Sequence, residues 1–166
     1  MTVTALIKTR QAMEFDAVPV VMMAHDLASH HGDTAALRLN AFLKDACGAN
    51  PRCHVFIAET AAREIAGFAA CYFTYEFQHG VAGLEVQNFF IRPAFREQGT
   101  GKRLMHSLAR FAVRHDCGRI SLGALTSNQE AIAFYSKIGF EKRKTGGDVQ
   151  RFFLEGDKLL NFIGEI

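Results

Sequence analysis

The sequence of 166 residues predicts a mixed α/β fold built around a central sheet. Three observations point there. Runs rich in Val, Ile, Phe and Tyr alternate with stretches of helical periodicity. The runs are short, as strands are. Gly, Asn and Pro punctuate the joints between them. The predicted order is β-α-α-β-β-β-α-β-α-β-β. With no repeat, low-complexity tract or linker, residues 1–166 read as one domain.

The opening "TVTALIKTR" alternates enough to be a strand, and residues 14–31 and 34–47 carry helical patterns. Gly32-Asp33 breaks the two helices apart, and Ala49-Asn50-Pro51 closes the second. "CHVFIAET" and "IAGFAACYFTYEF" read as strands joined by a hairpin turn at "AARE". After the loop "QHGVAG", residues 84–91 form the next strand, followed by a helix over 101–115 and a strand over 119–125. A helix over 128–138, strands near 140–145 and 149–155, and a short helical tail over 157–163 complete the chain. On the helix over 101–115, Leu104, Leu108, Phe111 and Ala112 make a core stripe. Arg103, His106, Arg110 and Arg114 lie towards its other side.

Half the side chains are apolar (49%) and 22% are charged, which fits one soluble globular domain with a real core. The net charge of +2 does not by itself argue for nucleic-acid binding. The charge is uneven, however. Arg92, Arg96, Lys102, Arg103, Arg110, Arg114 and Arg119 face only Glu97 and Asp116, an excess of five positive charges that suits a local anionic ligand or a solvated helix face. Cys47, Cys53, Cys71 and Cys117 show no C-x-x-C spacing and read as buried free thiols of a reducing cytoplasm. His25, His30 and His31 lack the spacing and the companion carboxylates of a metal site, so no metal is expected. The run "AVPVVMMA" is too short to span a membrane, and the first ten residues do not read as a signal peptide.

The stretch "NFFIRPAFREQGTGKRL" (88–104) begins apolar and ends basic and glycine-punctuated. A P-loop fails here, because Gly101-Lys102 is followed by Arg103 and the upstream position holds Arg96. A dinucleotide fingerprint fails at Leu104. The pattern R-x-x-G-x-G is satisfied by Arg96, Gly99 and Gly101, between a strand and a helix. Glycines let successive N–H groups point into one hollow, and the helix N-terminus, Arg96 and Lys102 add positive charge. Such a hollow suits a pyrophosphate without a metal. Further on, "SNQEAIAFYSKIGF" begins with a capping box, Ser127 and Glu130, and ends at Gly139. Ala131, Phe134, Tyr135 and Ile138 share one face of its helix.

These two motifs in this order, N-x-x-A-x-x-F-Y-x-x-x-G-F after R-x-x-G-x-G, resemble those of the GCN5-related N-acetyltransferase superfamily over roughly residues 55–153. The resemblance implies a central, mostly antiparallel sheet with a splayed parallel strand pair and about four flanking helices. It implies acetyl-CoA as co-substrate, with its pyrophosphate held by Arg96, Glu97, Gln98, Gly99, Thr100, Gly101 and Lys102. Phe89, Phe90 and Ile91 pair with the pantetheine arm, and Asn128 and Ala131 line the cofactor. Tyr135 matches the tyrosine that protonates the departing thiolate. A phenol suits that role because its ordinary pKa of about 10 keeps it protonated at neutral pH. Glu85 shares a strand face with Gln87 and Phe89 and is a candidate base, with Tyr75 and Glu76 as further candidates.

Within the superfamily the likeness is to diamine (spermidine/spermine) N-acetyltransferases and their thialysine-acetylating relatives. Those enzymes carry Leu-Glu-Asp where this chain has Val86-Gln87-Asn88. Gln87 and Asn88, expected at the substrate, lack the charge that attracts a cation. The implied reaction is acetylation of a small primary amine: a diamine, a polyamine or an amino acid. Acetylation of a protein N-terminus or lysine, and a non-catalytic acyl-CoA-binding module, are the competing readings. A nucleic-acid module is not expected, since no aromatic stacking platform accompanies the basic residues. A homodimer follows from the resemblance and from the apolar end "FFLEGDKLLNFIGEI", which could equally pack on its own domain.

Overall fold

The computed structural model describes residues 6–143 and 146–164. Its strands are β1 (Lys8–Gln11), β2 (His54–Glu59), β3 (Ile65–Glu76), β4 (Val81–Ile91), β5 (Arg119–Leu125), β6 (Glu141–Arg143) and β7 (Val149–Glu155). Its helices are α1 (Ala17–His30), α2 (Leu39–Ala46), α3 (Thr100–Arg114), α4 (Gln129–Lys137) and α5 (Gly156–Gly164). The strands form one sheet in the order β1-β2-β3-β4-β5-β7-β6. The pairs β1–β2, β2–β3, β5–β7 and β6–β7 are antiparallel, while β4 and β5 run parallel. The element order is the predicted one, with five helices where the resemblance implied about four. The first strand, Lys8–Gln11, keeps residues 8–10 of the predicted stretch and adds Gln11; residues 2–5 of that stretch lie outside the described residues, as do 144 and 145 of the strand expected near 140–145.

Contacts divide the chain into two compact units, one holding residues up to 71 with 88–104, the other 72–87 with 105 onward. In the first unit, α1 and α2 cover their side of β2 and β3 through Val20, Met23, Leu27, Phe42, Ile57 and Phe68. The hairpin at "AARE" is present: Arg63 takes a left-handed φ of 63°, and Thr60 N–H donates to Glu64 O at 2.9 Å. Helix α2 is shorter than the predicted 34–47. Asp33 accepts from the Thr34 N–H at 2.7 Å, a local bond that competes with helical pairing, and Arg38 is extended just before Leu39. Only Phe42 and Ala46, one turn apart, anchor the helix in the core.

In the second unit the parallel ladder runs from Gly83↔Arg119 to Val86↔Leu122. Strand β4 begins at Val81, earlier than predicted, and takes in Gly83, which reads as a loop residue. A Cβ at Gly83 would stand 2.9 Å from Thr74 Oγ1 and 3.2 Å from Arg119 Cγ, so the glycine is there for close packing inside the sheet. Helix α5 packs on β5 and β7 and buries Leu159 and Phe162, so the apolar C-terminal end packs on its own chain. This corrects the placement of His106. Instead of facing solvent with Arg103 and Arg110, its ring is buried beside Phe162, and its Nε2 lies 3.0 Å from Ile163 O. All four cysteines are free. Among the described residues no helix is long and apolar enough to cross a membrane.

Candidate active site

A short 3-10 turn, Pro93–Phe95, leads from β4 into the R-x-x-G-x-G loop. Arg96 is extended and folds back, its Nε donating to Ile91 O at 3.0 Å. Glu97 and Gly99 both take left-handed conformations, φ 58° and 78°. For Glu97 that is an uncommon state, and for Gly99 it is the conformation glycine adopts freely. Alternating hands of this kind curl the backbone into a concave nest of N–H groups. Nothing lies within 4 Å of where a Gly99 Cβ would be, so the outer side of the loop is open. Gly99 O accepts from Arg103 N–H at 3.0 Å, which starts the fifteen-residue helix α3. A helix leaves its first N–H groups without intrahelical acceptors and places partial positive charge there. Gln98 ties the loop down by donating to Ala94 O at 2.8 Å. Thr100 is enclosed, its hydroxyl has no partner among the described residues, and Gly99 and Lys102 are exposed. An open nest at a long helix start fits a pyrophosphate.

Upstream, Phe89 and Phe90 are half-buried and Ile91 is buried. Phe90 turns into the core of the first unit, its ring 6.4 Å from that of Phe68. Gly67 on β3, unmarked by any motif, sets how closely this strand end approaches. A Cβ there would stand 2.5 Å from Phe90 O and 3.2 Å from Ile91 Cα. The adjoining Ala66 O accepts from Arg92 N–H at 2.9 Å.

In the second unit, α4 carries Ala131 and Tyr135, with Asn128 at its N-cap. Tyr135 is buried, with ring neighbours Phe152 at 5.4 Å and Phe140 at 6.0 Å. Burial pushes its phenol well above the ordinary value, so it holds its proton throughout the neutral range. The helix cap is a correction: Asn128, not Ser127, caps α4, its side chain accepting from Ala131 N–H.

Glu85, the candidate base, sits in an ion pair. Arg151 from β7 grips both its carboxylate oxygens, at 2.6 and 2.7 Å, and the Ser121 hydroxyl donates to Oε2. Burial alone would raise its pKa, but the bonds from Arg151 and Ser121 outweigh burial and hold it below the ordinary range. A carboxylate so stabilised is a weaker proton acceptor than an ordinary glutamate. Of the other candidates, Glu76 is held by Arg119 and lies 3.2 Å from His79 Nδ1, and Tyr75 is largely exposed. Gln87 and Asn88 are exposed on β4 and carry no charge. Among the described residues no group of His, Cys, Asp and Glu is arranged to hold a metal.

Residues 22–140 match the acetyltransferase (GNAT) family. Thialysine N-epsilon-acetyltransferase of Bos taurus is 22% identical over 97% of this chain and 99% of its own length. Spermidine/spermine N(1)-acetyltransferase-like protein 1 of Homo sapiens is 27% identical over 78% of this chain, which spans 20% of that longer protein. The spermidine N-acetyltransferase of Vibrio cholerae, solved with CoA and spermine, superposes with a TM-score of 0.71 at 17% identity, covering 93% of this chain and 98% of that one. The family match covers most of the chain, and the R-x-x-G-x-G loop lies between β4 and α3. This chain belongs to the acetyltransferase (GNAT) family and is an acetyl-CoA-dependent N-acetyltransferase.

Proposed function

We propose that the enzyme acetylates the primary amine of a small molecule by direct attack. When bound, acetyl-CoA supplies the activated thioester carbonyl. The backbone from Arg96 to Lys102 holds its pyrophosphate, with Lys102 and Arg96 adding charge. The strand end Phe89-Phe90-Ile91 aligns the pantetheine by backbone pairing, and Asn128 and Ala131 border the cofactor. Tyr135 keeps a proton at its phenol oxygen and passes it to the departing sulfur. Gln87 and Asn88 contact the acceptor as neutral hydrogen-bonding groups, and Glu85 keeps its strand face in order while the amine loses its proton to water. The observation that carries the reading is the open left-handed turn through Glu97 and Gly99 at the start of α3.

Thiol release from acetyl-CoA across diamines, polyamines, amino acids and peptides tests it. Turnover with small amines is expected. Turnover with peptides alone favours protein acetylation, and CoA binding without turnover favours a regulatory module.

A further inference from the structure

We infer that Arg151 determines specificity, selecting primary amines that carry a carboxylate over polycations; the inference rests on the small-amine reading above. The register of the sheet assembles the patch. Glu85 lies beside Ser121, and Gly123 lies beside Arg151. A Cβ at Gly123 would stand 2.8 Å from Val149 Cγ1 and 3.4 Å from Arg151 Nη1. Because Gly123 has none, the Arg151 side chain crosses β5 and reaches Glu85 on β4 with two bonds. Gln87 follows Glu85 on the same face of that strand. The carboxylate nearest Gln87 along β4 is therefore already taken by an internal cation.

What an arriving molecule meets is the guanidinium. The Arg151 side chain is 29% exposed, against 12% for Glu85. Two of its five N–H groups go to Glu85, and the other three have no protein acceptor among the described residues. A guanidinium with open N–H groups takes a carboxylate in two parallel bonds and offers an ammonium no acceptor. Glu76 is more open, at 40%, but it pairs with Arg119 at the Gly83 end of the ladder, away from Gln87.

Matched amines test this. The pairs 1,4-diaminobutane with ornithine and 1,5-diaminopentane with lysine each differ by one carboxylate. The wild-type enzyme is expected to show the higher kcat/KM for the amino acid of each pair. Arg151→Met should lower that ratio by roughly tenfold to a hundredfold, the size of a lost hydrogen-bonded charge contact. Arg151→Lys should keep part of it. If Arg151→Met leaves Glu85 bare and the protein does not fold, Arg151→Met combined with Glu85→Gln removes both charges and reads the same ratio. A wild-type preference for the diamines, turnover of none of the four while other amines react, or a ratio that Arg151→Met leaves unmoved overturns the assignment and leaves the acetyltransferase reading standing. A protein that releases no thiol with any small amine overturns that reading first, and the assignment with it.

Discussion

The side chain of Asn128 accepts a hydrogen bond from the backbone N–H of Ala131 at 3.1 Å, closing the first turn of α4. Two overlapping patterns compete at this helix start, S-x-x-E from Ser127 and N-x-x-A from Asn128. The backbone selects the second, with Ser127 exposed. Asn128→Ala is expected to cost about 1 kcal/mol of stability, the usual value of an N-cap. Ser127→Ala should change it by less than about 0.5 kcal/mol. Denaturant unfolding of the two variants side by side decides between the caps.

Gly67 carries no motif, yet its missing Cβ is what lets the Phe90–Ile91 backbone press against β3. Gly67→Ala forces that strand end outward, and a destabilisation of about 1–3 kcal/mol is expected from overpacking. Because the same strand end aligns the pantetheine in the proposed function, the KM for acetyl-CoA should rise too. Gly118→Ala is the control, since its added Cβ would meet only Val81 Cγ1 at an ordinary 3.6 Å. Equal KM values in the two variants would detach Gly67 from cofactor binding.

Replacing Tyr135 with Phe keeps the aromatic packing against Phe152 and Phe140 and removes the phenolic proton. The expected result is a fall in kcat of about a hundredfold or more, the lower range for a general acid, with little change in the KM for acetyl-CoA. A turnover number that is unchanged across pH removes Tyr135 from the chemistry.

The Glu85–Arg151–Ser121 cluster predicts a pH signature. The folded pKa of Glu85 lies below its ordinary 4.5, so its contribution to stability is present above that value and is lost as pH falls through the folded pKa. The stability difference between wild type and Glu85→Gln should therefore shrink on acidification from neutral pH to below 4.5. A difference that stays constant from neutral pH to strongly acid solution would mean that the ion pair adds nothing.

The element order, most helix ends and both motifs were legible in the sequence because each rests on local physics. Periodicity places α3, Gly99 supplies its left-handed entry, and Gly139 ends the α4 segment with φ 100°. The sequence also shows Gln87 and Asn88, uncharged, at the positions proposed to contact the acceptor. Two features that the chain hides have one origin. His106 read as solvent-facing because its burial depends on α5, a helix more than fifty residues away in the chain. The strand pattern marks Glu85 as a candidate base but cannot show its partner Arg151, sixty-six positions on.

The sequence by itself determined the family and the left-handed glycine turn at the start of α3, both carried by residues within one or two turns of each other in the chain. Only the tertiary structure decided which charges are spent on one another. That depends on register: Gly123 beside Arg151 and Glu85 beside Ser121 let one side chain cross a strand, and pairing across a parallel and then an antiparallel ladder leaves no local trace in the chain.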